Sequence, residues 1–304
     1  MADTKISALT ALSPSLAGGD KFPVADASDL TASKSATANQ IKDYCAPQGH
    51  IFGLTMSNNG TDTVNDIDVA AGEATAEGGG VLITLAASIT KRLDAAWAVG
   101  TNQGGLNTGA EAANTWYEVH LIRRPDTGVV DVMFTTTANR ATLPANYTQQ
   151  RRIGWIRNDA SSNILAFTQV DDYFTLTTQI NDVAATLTST AAQVTVTVPP
   201  SCIGRFRTAM AAGAGGTNLS DQSIVFSEIV EGNVTPTITT GIASLAGTET
   251  ASAAVTASAA HMELRVSASS QIEHDSSANA QTGGGTFDIS TFGWIDRRGR
   301  FSAT

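Results

Sequence analysis

The sequence predicts a mainly β protein, in which an N-terminal segment carrying one short helix precedes two β-sandwich or jelly-roll-like domains. Three observations predict it. Only 15% of the residues are charged and 6% aromatic, while Thr, Ala, Ser, Gly and Val dominate, a mixture that suits strands and turns better than helices. A complete hairpin pattern surrounds Pro125-Asp126-Thr127-Gly128. Downstream, short strand-like runs recur between Gly, Asn and Ser turns, the spacing of a sandwich. The 304 residues suffice for about two ordinary domains, and the divisions fall at 1–48, 49–176 and 177–304.

Residues 1–48 hold short apolar clusters, Ile6, Leu9, Leu12 and Leu16, spaced by Ser, Thr and Pro14. Gly18-Gly19-Asp20 leads into a strand at Phe22-Pro23-Val24. A helix is expected from about Thr37 to Tyr44, capped by Ser35 or Thr37, with Ile41 and Tyr44 on one face. A module this small does not fold strongly alone, so it is expected to order against another subunit or a docking surface.

In the central segment, Tyr117, Val119 and Leu121 alternate with Glu118, His120 and Ile122 before the turn; Val130, Val132 and Phe134 alternate with Asp131 and Met133 after it. Pro, Asp and a closing Gly fit a type I turn ended by a left-handed residue. A second strand pair is expected at Arg152 to Arg157 and Ile164 to Gln169, joined by the polar turn from Asn158 to Asn163. In the C-terminal segment, strands are expected at Val194 to Val198, Ile203 to Met210, Ser223 to Val230, Val234 to Thr239, Met262 to Val266 and Gly293 to Asp296. No repeat of fixed period is evident, which argues against a solenoid.

Charge excludes several partners. The net charge is -10 and the pI near 4.7, so phosphate backbones and anionic membranes would repel the chain, and no nucleic-acid partner is expected. No apolar run approaches the roughly 18 residues of a membrane helix, and MADTKISALTALS lacks the layout of a secretory signal. The expectation is a protein made in the cytoplasm without membrane insertion. Cys45 and Cys202 lack disulfide-framework or zinc spacing and read as free thiols. All five lysines, Lys5, Lys21, Lys34, Lys42 and Lys91, lie in the first 91 residues, which confines lysine chemistry to that third.

The groups that carry catalysis are sparse, and no catalytic, cofactor-binding or metal residue is assigned. The four histidines, His50, His120, His261 and His274, lack a nucleophile context, and His120 reads as a partly exposed structural residue on a strand. The Gly-rich stretches Gly100 to Gly105 and Gly213 to Gly216 complete no phosphate-binding fingerprint and read as exposed loops. A glycosidase needs two acids about 5–10 Å apart, and the pairs on offer are Asp66 with Asp68, Asp126 with Asp131, and Asp171 with Asp172. Only the first shares a strand face; Asp126 is explained by its turn. The oxygen-rich run from Asp62 to Asp68 misses the spacing of a calcium loop and reads as a solvated turn. Arginines cluster at Arg123-Arg124, Arg151-Arg152 and Arg297-Arg298 with Arg300, and their forked geometry suits carboxylates on neighbouring strands or subunits.

The block Trp116 to Phe134, with Leu143-Pro144-Ala-Asn-Tyr147 and Arg151-Arg152-Ile-Gly154-Trp155-Ile156, resembles a pattern of tailed-bacteriophage fibre and virion proteins. The opening Lys5-Ile-Ser-Ala-Leu9-Thr-Ala-Leu12, Asp20-Lys-Phe-Pro23-Val and Gln40 to Tyr44 is similar to the N-terminal segment of such fibres, as Phe292 to Arg300 is to their ends. The resemblance implies a structural virion protein, a tail, head or collar fibre or a spike. It would be attached to other virion proteins through residues 1–48, usually as a homotrimer, with its β-domains projecting outward; a host surface glycan is the further partner that exposed loops with aromatic and hydrogen-bonding groups would suit. A capsid-decorating protein without receptor role and a polysaccharide depolymerase are the alternatives.

Overall fold

The computed structural model describes residues 19–24, 34–188, 190–211, 221–229, 236–237, 241–248, 257–276 and 285–300. The apolar clusters from Ile6 to Leu16 and the Gly213 to Gly216 loop lie outside these residues, as does most of the strand expected from Val234 to Thr239. The fold is mainly β: twenty-one strands and one α-helix are described.

Strand β1 (Lys21–Val24) pairs antiparallel with β2 (Lys34–Thr37), which runs directly into helix α1 (Ala38–Tyr44). Thr37, not Ser35, is the cap. Its hydroxyl accepts from Gln40 N at 3.1 Å while the Gln40 side chain accepts from Thr37 N at 2.8 Å, a reciprocal box that fixes where the helix begins. Lys42 Nζ reaches Glu73 at 3.3 Å, and the Asp43 carboxylate accepts from Leu82 N, so the helix is tethered to the sheets that follow.

Seven strands form the central sheet: β4 (Met56–Asn58), β5 (Asp66–Val69), β8 (Ile89–Ala96), β9 (Gln103–Leu106), β10 (Trp116–Arg123), β11 (Val130–Thr135) and β12 (Gln149–Arg157), in the order β12-β10-β11-β9-β8-β5-β4. Only β9 runs parallel to its neighbours. A three-stranded sheet, β3 (Ile51–Gly53), β6 (Gly72–Thr75) and β7 (Leu82–Leu85), supplies Ala74 and Ile83 to the same core.

The β10–β11 hairpin pairs from Arg123 opposite Val130 to Glu118 opposite Thr135, and Gly128 closes the turn at φ +74. Its alternation splits two buried faces. Tyr117, Val119, Leu121, Val132 and Phe134 enter the main core, while Ile122 and Met133 join Tyr147 in a second cluster beside Trp97. The polar side chains Glu118, His120 and Asp131 share the second face with Ile122 and Met133 and are buried as well, so the alternation here separates two buried faces rather than inside from outside.

Toward the C-terminus, β13 (Phe167–Val170), β14 (Tyr173–Thr186), β16 (Ile203–Ala211), β19 (Ala257–Arg265) and β21 (Thr286–Ile295) form a five-stranded sheet in the order β13-β14-β21-β16-β19. A four-stranded sheet, β15 (Ala192–Thr195), β20 (Gln271–Ser276), β17 (Asp221–Ser227) and β18 (Ala243–Thr248), contributes Ile224, Phe226, Leu245 and Ile272 to a core shared with Phe206, Met210, Phe287 and Ile289 of the first. Two sheets burying their apolar faces in a common core is the sandwich principle.

One expected pairing fails. After Arg157 the chain makes a single bridge, Asn158 with Ile164, and then β13 leaves β12 to pair with β14. Aromatic packing explains the departure: Phe167 lies 5.9 Å from Phe174 and 6.5 Å from Trp294 between ring centroids, and this area outweighs a longer hairpin ladder. Trp294 stacks on Phe174 at 5.2 Å and meets Trp116 edge-on at 5.2 Å, joining the central sheet to the C-terminal one.

Candidate functional site

The candidate acids and histidines disperse into separate contacts. His50 Nε2 lies 3.2 Å from Glu73; His261 packs on Phe292, and the buried His274 packs on Phe287 with its pKa lowered by burial. His120, expected to be partly exposed, is fully buried. Asp66 and Asp68 do share a face of β5, yet Asp68 accepts from Thr90 Oγ1 at 2.6 Å and Asn59 Nδ2 at 2.9 Å. Burial and the nearby Asp62 raise the Asp66 pKa. Asp62 itself closes its turn, accepting from the backbone N–H groups of Val64 and Asn65, as Asx turns do. No group of three or more His, Cys, Asp or Glu side chains suited to a metal occurs among the described residues.

The other acids serve different neighbours. Asp126 forks with Arg124 at 2.7 and 2.8 Å, whereas Asp131 is buried against Lys91 Nζ at 3.2 Å and accepts from Gly100 N. Asp171 and Asp172 form the β13–β14 turn rather than a strand, with Asp171 at φ +51. The expectation of an exposed loop from Gly100 to Gly105 is corrected: Gly104 and Gly105 are buried in β9, where the Phe134 ring leaves no space for a side chain at Gly105.

Two arrangements escaped the sequence reading. In the first, Glu118 is buried and accepts from Arg140 Nε at 2.7 Å and Thr137 Oγ1 at 3.1 Å, with His120 Nε2 at 2.7 Å. Burial alone would raise this carboxyl; the His120 and Arg140 contacts outweigh it and hold the pKa at about 2. The only local signal was an acid and a histidine two apart on one strand face.

The second arrangement is an arginine-lined cleft. Two cavities of about 460 and 390 Å³ share Arg152, Pro200, Ser201, Arg298 and Gly299 as walls. Strand β12 presents Arg151 and Arg152, and the segment after β21 turns back across them, with Arg298 and Gly299 both at positive φ. Arg152 forks onto Asp296 at 2.5 and 2.9 Å, and Asp296 also accepts from Arg298 N, so one carboxylate fixes both the guanidinium and the turn. Arg151 Nη2 donates to Arg298 O at 2.7 Å, while Asp172 takes ion pairs from Arg298 and Arg300 at 3.2 and 3.1 Å. Arg152, Arg298 and Arg300 thus meet carboxylates of neighbouring segments within one chain.

Charge in the cleft runs opposite to that of the molecule. Arg140, Arg151, Arg152, Arg265, Arg297 and Arg298 line it against the carboxylates of Glu77 and Asp296. Burial lowers the Arg151 pKa, and the guanidinium groups of Arg152 and Arg298 add to the effect against the pull of Glu77. The buried N–H groups Arg151 Nε, Arg298 Nη1 and Trp155 Nε1 have no acceptor among the described residues, and all three residues line the smaller cavity. No family model matches the chain, and no curated protein matches it.

Proposed function

We propose that the chain is a non-enzymatic structural subunit of a tailed-bacteriophage particle, a fibre or spike protein of the virion. It docks through residues 1–48, works as a homotrimer and presents its β-domains toward the host surface. The observation that carries this reading is at the N-terminal end. Helix α1 is capped and tethered, yet Ile41 is 39% exposed and Tyr44 89%, apolar surface suited to a partner.

Sedimentation of the full chain tests the assembly. A species of three times 31.4 kDa is expected, and a stable monomer overturns the trimer. Antibody labelling of the parent particle tests the location, and a chain absent from purified virions overturns it. Particles that lack the protein yet still infect would favour a decorating role. Release of reducing ends from host glycans would favour the depolymerase instead.

A further inference from the structure

We propose that Lys91 and Asp131 join in an intramolecular amide, an isopeptide bond that staples β8 to β11 across the intervening β9. The pair is sealed from solvent: the side chains are 0% and 1% exposed, and Lys91 Nζ lies 3.2 Å from Asp131 Oδ1. Strand β9 lies between the two in the sheet, and Gly105 on it carries no side chain; a Cβ there would come within 3.2 Å of Lys91 Cβ. The cross-link and the virion reading stand independently.

Geometry at both reacting groups favours the amide. The three hydrogens of the Lys91 ammonium have three acceptors, Ala98 O at 2.6 Å, Gly100 O at 3.2 Å and Asp131 Oδ1. Transfer of one proton to Asp131 leaves a neutral amine whose two N–H groups stay on the carbonyls and whose lone pair faces the carboxyl group. A water-poor interior disfavours separate charges and so favours that transfer; burial lowers the Lys91 pKa against the pull of Asp131. On the carboxyl side, Asp131 Oδ2 accepts from Gly100 N at 2.7 Å and Oδ1 from Val132 N at 2.6 Å. These N–H groups are fixed where negative charge develops as Nζ adds to Cγ, the arrangement that lowers barriers to acyl transfer. A contact held by the fold supplies the proximity that a free amine and a free acid lack.

The step balances without a co-reactant. The Nζ–Cγ bond forms, the Cγ–O bond to the protonated oxygen breaks, and the hydroxyl leaves with one amine proton as water. Exclusion of bulk water from the site then protects the amide from hydrolysis.

Intact mass spectrometry of the full chain, denatured after overnight incubation at neutral pH, tests the bond. The expected mass is one water below that of the chain's residues, and a protease digest is expected to hold Lys91 and Asp131 in one branched peptide. A chain at full residue mass, or the two residues recovered in separate peptides, overturns the proposal. Lys91→Arg keeps the cation without an amine able to form this amide, and Asp131→Ala removes the carboxyl group, so each is expected at full mass. Water loss that persists in either variant overturns the pairing. Should a variant fail to fold, the digest of the unaltered chain decides.

Discussion

At Glu118 a buried carboxylate survives because its oxygens are matched. Arg140, Thr137 and His120 converge on it, and the pKa falls to about 2 although burial alone would raise it. In the unfolded chain the same carboxyl titrates near 4.5, so its stabilisation is fully present above that pH and is lost as pH falls toward 2. The loss should amount to about 2–3 kcal/mol. Urea midpoints measured from pH 6 to pH 2 check it, and Glu118→Gln should flatten that slope; an unchanged slope contradicts the assignment. Lys91 poses the opposite problem, a buried ammonium beside Asp131 whose pKa burial lowers. Lys91→Met leaves Asp131 without its countercharge and is expected to cost about 3–5 kcal/mol in a urea titration. Neither network was legible beforehand, because His120 reads as half-exposed and Lys91 as the last of a scattered set until β8, β9 and β11 come together. Arginine pairing was legible as a feature, but not the convergence of Arg151 and Arg298 from positions far apart in sequence.

Elements whose signal is local were read well. The β10–β11 hairpin follows from its own turn residues, and α1 from the Thr37–Gln40 box. Strand β14 went unrecognised because, beyond its first residues in the local hairpin with β13, its Thr- and Ala-rich stretch is decided by the sequence-distant β21. Two glycines separate these cases. Gly128 needs only its positive φ and has open space around it, so Gly128→Ala should cost about 1 kcal/mol. At Gly293 a Cβ would overlap the backbone of Phe174 on the paired strand, so Gly293→Ala should cost more, about 2–3 kcal/mol. Thermal melts of the two variants give the comparison, and equal midpoints would contradict it.

Over the whole molecule, one buried cluster runs from Leu54 to Trp294 through the Trp116, Trp294 and Phe174 contacts. Residues 49–176 and the strands after them are therefore expected to melt in one calorimetric transition; two resolved transitions would show that the aromatic junction does not couple them. The strand order of the five-stranded sheet has a further consequence for biosynthesis. Strand β21 lies between β14 and β16, and both leave the ribosome before it. Until β21 arrives, each nascent strand has an unpaired edge where its eventual neighbour belongs, and such edges recruit other chains. A translation pause between Ala211 and Thr286 would lengthen that exposure, so synthesis speed through this stretch should govern the yield of soluble protein.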